Sequence, residues 1–219
     1  MKITLKDGSV KEYAQPMSIL DIAKDLSEGL ARAACAGVVD GETEDLRTVL
    51  DKDCSLNICT VSDPEGLAAL RHTASHVMAQ AIKRLYPDVK LAIGPSIADG
   101  FYYDIDSEDP VTAEDLEKIE NEMKKIVKEA LPLERFTLPR AEAIAFMEEK
   151  KEPYKVELIQ DLPEDAEISF YRQGEFTDLC AGPHLMSTKE VGKAFKLTSI
   201  AGAYWRGNEH NKMLTRIYG

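Results

Sequence analysis

Three of the four histidines fall into two short patterns with chemistry in them, His72-x-x-x-His76 and Cys180-x-x-x-His184, and Asp178 stands just before the second. Imidazoles exchange protons near neutral pH, and a thiol beside them is a candidate nucleophile or metal ligand. Three imidazoles and a thiolate also make a tetrahedral zinc donor set. Residue types alone therefore leave two chemistries open at His72, His76, Cys180 and His184: an acid–base cluster and a metal site. The first pattern invites comparison with zinc metalloproteases, in which Glu follows the first His and serves as the base. Thr73 occupies that place here, and the protease reading fails at that residue. His210, in the polar run Asn208-Glu209-His210-Asn211, reads as an exposed loop residue.

The elements that carry these residues can be read from spacing. Asp63-Pro64 and Pro87 bracket a helix in which Leu67, Leu70, Ala74, Val77, Met78, Ala81, Ile82 and Leu85 form a core-facing stripe. At about 100° per residue, His72 and His76 lie one above the other, nearly opposite the centre of that stripe. They are then either surface histidines or histidines satisfied under a second layer of chain. Ala68, Ala69 and Ala79 on the same face let other groups approach, so this face is expected to border a cleft. Gly182-Pro183 forces a turn after a predicted strand at 176–179, which gathers carboxylate, thiol and imidazole at a strand end.

Around these lies an α+β framework. Residues 1–61 read as a small module of the β-grasp, ubiquitin-like kind: a hairpin from Ile3 to Tyr13 about a turn at 6–9, a helix capped by Ser18 and closed by Gly29, then strands at 36–39 and 56–61. Nothing in it looks like a reacting group, and docking, RNA contact and a purely structural role stay open. Residues 62–219 form the larger domain, with Thr112 and Asp115 capping a second amphipathic helix that ends before Pro132, and a shorter helix at 141–150. Strands are expected at 168–172, 176–179, 195–197 and 213–218.

Composition narrows the function classes. The charge of −12 disfavours a chain that grips a duplex by its phosphates, yet residues 191–219 carry five cations (Lys193, Lys196, Arg206, Lys212, Arg216) against Glu209, a local +4. Such a segment is either a solvated face or a local receiver of a polyanion. Four irregularly spaced cysteines without Cys-x-x-Cys suit a reducing compartment. The charged start and the absence of any apolar run of about 20 residues argue against a signal peptide or membrane span. The cytoplasm is the expected location.

Four runs carry a specific resemblance: 72–76 (HTASH), 93–104 (IGPSIADGFYYD), 178–184 (DLCAGPH) and 201–207 (AGAYWRG). Together they resemble the amino-terminal half of bacterial threonyl-tRNA synthetases, with residues 1–61 similar to the TGS domain and residues 62–219 to the editing domain. The resemblance implies hydrolysis of seryl-tRNA(Thr), and no aminoacylation, since the class II catalytic domain would lie after Gly219. A synthetic pocket discriminates a missing methyl by only about 1–3 kcal/mol, so serine leaks through and a second site must remove it. The family's pattern further implies that His72, His76 and His184 hold the terminal ribose and the attacking water. Lys155 would stabilise charge developing at the ester, Asp178 would read the α-ammonium, and Cys180 would line the pocket. Tyr204 and Arg206 would contact the substrate, and Tyr102 and Tyr103 read either as base-stacking or ribose contacts or as core aromatics. The partners implied are the acceptor end of tRNA(Thr) carrying serine and, in a full-length enzyme, the catalytic domain of a homodimer, with no membrane. Alanyl-tRNA synthetase editing domains have a similar donor set and hold zinc, whereas the threonyl kind is regarded as working without it, so no metal is expected to be required. Zinc at the four residues, covalent catalysis by Cys180 and a non-catalytic RNA-binding or docking module are the competing readings.

Overall fold

The computed structural model describes residues 1–219, which divide into two compact units, residues 1–72 with 182–186 and residues 73–181 with 187–219. In the first unit, β1 (Lys2–Leu5) turns through the 6–9 corner into β2 (Val10–Glu12), and β3 (Met17–Ser18) leads into helix α1 (Ile19–Leu26). The Ser18 hydroxyl accepts from the Asp21 amide at the helix start, as its position before an apolar-periodic run predicts. Gly29 does not close that helix. Ser27 ends it and caps a second, α2 (Glu28–Ala33), with its side chain accepting from Leu30, so the chain restarts a helix where a stop was expected. Strands β4 (Ala36–Val39), β5 (Glu42–Glu44), β6 (Val49–Leu50) and β7 (Cys54–Cys59) follow, and the sheet order is β2-β1-β7-β4-β5 with β7 parallel to β1. This is the β-grasp arrangement. Its core joins Ile3, Ile19, Ile22, Leu46, Leu50 and Leu56, and Met186 packs against it.

Helix α3 (Pro64–Leu85) begins in the first unit and continues into the second, the division falling between His72 and Thr73. It starts tight on the strand before it: a Cβ at Gly66 would sit 1.9 Å from the carbonyl oxygen of Thr60, so only glycine fits. From Thr73 to Ile82 every residue of the helix is buried. The apolar stripe is therefore one of several covered faces, and a second layer of chain covers the face of His76.

The second unit adds β8 (Lys90–Leu91), β9 (Ser96–Ile97), β10 (Gly100–Asp106), α4 (Ala113–Glu129), β11 (Leu133–Thr137), α5 (Arg140–Glu149), α6 (Pro153–Asp161), β12 (Ser169–Gln173), β13 (Phe176–Leu179), β14 (Ser199–Tyr204) and β15 (Met213–Tyr218). Two sheets result, β14-β15-β10-β8 and β11-β12-β13. Thr112 and Asp115 make the expected capping box on α4. The strand expected at 195–197 is absent, because the Leu197 amide donates to buried Glu120 rather than to a neighbouring strand. Pairing with β15 falls to residues 199–204 instead, whose small and exposed side chains show no alternation. Phe136, Phe146 and Phe170 form the aromatic centre that packs α5 and α6 on the small sheet.

Candidate functional site

In the second unit the site is built around one carboxylate. Residues 176–179 form β13, paired antiparallel with β12, which presents Asp178 inward with 1% of its surface exposed. Lys155, on α6, is 3% exposed and places Nζ 2.9 Å from Asp178 Oδ1. Tyr103, on β10 and fully buried, donates its hydroxyl to Asp178 Oδ2 at 2.6 Å and accepts from Lys155 Nζ at 2.9 Å. His76 Nε2 stands 3.6 Å from the same Oδ2. Burial pushes the Asp178 carboxyl up, but the charges of Lys155 and His76 and the two hydrogen bonds pull harder, and it stays below the usual carboxylate range. The Tyr103 phenol is raised well above its ordinary value by burial and by the adjacent Asp178 charge. At neutral pH the cluster therefore holds an ionised carboxylate and a neutral phenol.

Local geometry fixes each member. The Tyr103 ring lies so close to the backbone of Gly94 that a Cβ there would be 2.1 Å from it, and the Gly94 carbonyl accepts from Ser75 of α3 at 2.6 Å. Glu152, which precedes Pro153 at the start of α6, accepts from the Leu91 amide and pairs with Lys83, each at 2.9 Å. Its carboxyl is raised by burial, with Asp178 adding to the effect. Glu152, Lys155 and Asp178 line one cavity of about 340 Å³ together with Gln80, Lys83 and Phe176. Cys180, half-buried, follows the strand, and its amide and carbonyl both pair with Ser169.

In the first unit, His184 is fully buried and its ring stacks on that of half-buried His72, with centroids 4.1 Å apart and planes at 29°. His72 Nδ1 lies 3.3 Å from the carbonyl oxygen of Pro183. Gly182 has φ of +80°, and the peptide to Pro183 is cis. Residues 181–185 form neither a helix, a strand nor a turn, so the chain leaves β13 as an irregular segment where a turn was expected.

Of the residues expected to contact substrate, Tyr103 is fully buried, and its hydroxyl links Lys155 to Asp178. Tyr102 is half-buried, with the Arg216 guanidinium 3.9 Å from its ring centre and Tyr218 against its edge. Tyr204 is 40% exposed, and Arg206 is ion-paired to Glu157 and Asp161. Glu152 and Ser75 were not singled out in the sequence: Glu152 belongs to no recognisable pattern, Ser75 lies in the 72–76 run without a chemistry of its own, and their bonds come from pairing between distant elements. Of the four residues singled out as acid–base groups or metal ligands, His72 and His184 fall in the first unit and His76 and Cys180 in the second.

Comparison with known proteins gives this arrangement a class. Residues 1–60 match the TGS domain family, and residues 168–218 match the family described as threonyl and alanyl tRNA synthetase second additional domain. The chain thus has one segment similar to a TGS domain and another similar to the second additional domain of these synthetases. Over all 219 residues it is 66% identical to a threonine--tRNA ligase of Acetivibrio thermocellus, 62% to one of Clostridioides difficile and 59% to one of Clostridium perfringens, spanning 34% of the length of each. No helix is long and apolar enough to cross a membrane.

Proposed function

We propose that this chain is the proofreading part of a threonine--tRNA ligase and hydrolyses the ester of seryl-tRNA(Thr), with residues 1–61 as the TGS domain and residues 62–219 as the editing domain. The observation that carries this reading is the buried Lys155–Tyr103–Asp178–His76 cluster. Two ionised groups kept out of water at the wall of a cavity cost stability, and such an arrangement suits a charged substrate better than a core does. In this reading His72, His76 and His184 hold the terminal ribose and a water, with Cys180 lining the pocket. The water adds to the ester carbonyl carbon as an imidazole takes its proton. Lys155 stabilises the oxyanion, and the ribose oxygen leaves with a proton as serine is released. Asp178 has lone pairs beyond those used by Lys155 and Tyr103, enough to accept from the α-ammonium. The partners are the seryl-charged acceptor end of tRNA(Thr) and the remainder of a homodimeric cytoplasmic ligase.

The test is single-turnover deacylation of seryl-tRNA(Thr) and threonyl-tRNA(Thr). The wild-type chain should shorten the life of the seryl ester selectively, and His72→Ala and His76→Ala should each lose about a hundredfold or more, the usual worth of positioned proton transfer. An ester lifetime unchanged by the protein would leave only RNA binding.

The residue types at His72, His76, Cys180 and His184, three imidazoles and a thiol, leave a second reading, a zinc-dependent hydrolase. These residues are chemically apt zinc ligands, and the ion would supply a polarised water. Our preferred reading needs no metal. Stoichiometric zinc in protein purified without added metal, with activity lost to a chelator and restored by zinc, would replace it.

A further inference from the structure

The first unit contains a contact that the β-grasp fold does not need. Asp45 follows β5 and is 8% exposed, and Arg47 stands two residues on with 16% of its side chain exposed. The Asp45 carboxylate accepts from the Arg47 amide at 2.8 Å and from its guanidinium at 2.9 and 3.1 Å, which orients the fork. The fork then donates to two successive carbonyls, His184 O at 3.2 Å and Leu185 O at 2.9 Å. The His184 amide donates back to Asp45 Oδ2 at 3.1 Å. Three charge-assisted bonds thus hold the peptides on both sides of His184, and charged partners make them stronger than ordinary backbone pairing. One residue further on, Met186 packs against the module's apolar core. A segment bound at 184, 185 and 186 has little freedom, and the side chain it carries into place is the imidazole stacked on His72.

A buried ion pair is a poor device for stability alone, since apolar groups of the same volume often serve as well or better. Here it reaches across the chain to two backbone groups beside a proposed reacting residue. We infer that Asp45 and Arg47 are positioning residues for His184, so that the TGS module holds a reacting group in place and is not only an appendage. The inference rests on the proposed deacylase function.

Its test uses the full chain. Arg47→Met keeps the stem and removes the fork, Arg47→Lys keeps the charge with one donor head, and Arg32→Ala on the exposed α2 is the control. Single-turnover deacylation of seryl-tRNA(Thr) should fall about tenfold to a hundredfold in Arg47→Met through kcat with KM little changed, as expected for a displaced catalytic group. Arg47→Lys should recover part of the loss, and Arg32→Ala should match wild type. In a His184→Ala background, Arg47→Met should cost nothing more, whereas a merely structural role would subtract its full effect again. Amide exchange of residues 184–186 reads the grip without any substrate and should quicken in Arg47→Met and in Asp45→Asn. If Arg47→Met does not fold, Arg47→Lys carries the comparison. An active wild type with an equally active Arg47→Met, or a full additional loss in the His184→Ala background, would overturn the inference. An inactive wild type would overturn the functional reading instead, and unchanged exchange at 184–186 would overturn the grip by itself.

Discussion

Asp178 is the residue on which the site's electrostatics turn, and its partners define what can be removed. With Lys155 Nζ at 2.9 Å, the Tyr103 hydroxyl at 2.6 Å and His76 at 3.6 Å, its charge is supported from three elements. Removing the main support should cost more than removing the pair. Lys155→Met leaves a buried carboxylate uncompensated and should destabilise the chain by about 3–5 kcal/mol, whereas Lys155→Met with Asp178→Leu should be the more stable of the two variants. Urea denaturation of both measures this, and a double variant no better than the single one would show that the pair is not the source of the loss. The elements that carry His72, His76 and Asp178 were legible in the sequence, because the periodicity of α3 and the short apolar run of β13 act over a few residues. The bond from Tyr103 to Asp178 was not. A buried Tyr reads the same whether its hydroxyl meets a reacting group or a stray carbonyl, and only tertiary pairing decides.

At the scale of elements, Arg84 in the last turn of α3 gathers three carboxylates: Glu122 and Glu129 from α4, and Glu175 from the turn between β12 and β13. The Arg84 hydrogen bond is the largest cause holding Glu175 down, to about 2, and Glu129 is lowered in the same way. Their folded values lie below the unfolded value of about 4.3, so this contribution is complete above that pH and is lost as pH falls towards about 2. Arg84→Met should therefore flatten the fall in melting temperature between about pH 5 and pH 3. The effect is modest because Glu129 and Glu175 are 41% and 56% exposed and solvent screens them. Equal slopes for variant and wild type would show that Arg84 does not govern the acid limb. The elements themselves were legible where capping and periodicity agree, as in α1 and α4. They were misread or left unread where tertiary pairing wins: β14 has no alternation because its side chains are mostly exposed, and no element was expected where α6 begins at Pro153, behind a Glu whose side chain turns to β8 and α3 rather than to its own helix.

At the scale of the whole chain, charge sets how it can meet RNA. The basic segment at 191–219 reads in sequence as +4, yet four of its five cations already have carboxylate partners. Arg216 pairs with Asp104, Lys212 with Asp106, Arg206 with Glu157 and Asp161, and Lys196 with Glu120. These partners lie on β10, α6 and α4, far off in sequence, which is why a count along the chain overstates the free positive charge. With −12 overall, the chain has little capacity to displace counterions from phosphates. Binding of tRNA by this chain alone should therefore be weak, with log K falling against log salt at a slope no steeper than about −2, the value for two or three neutralised phosphates. Titration of labelled tRNA by fluorescence anisotropy at several salt concentrations measures the slope. A steep slope would mean that the carboxylates release their cations to RNA and that this segment is itself the grip. A shallow one means that affinity must come from elsewhere in a longer chain. The relatives have room for it, since this chain spans 34% of their length, and under the proposed function the Lys155–Asp178 cluster would then need only to recognise an ester that other contacts have delivered.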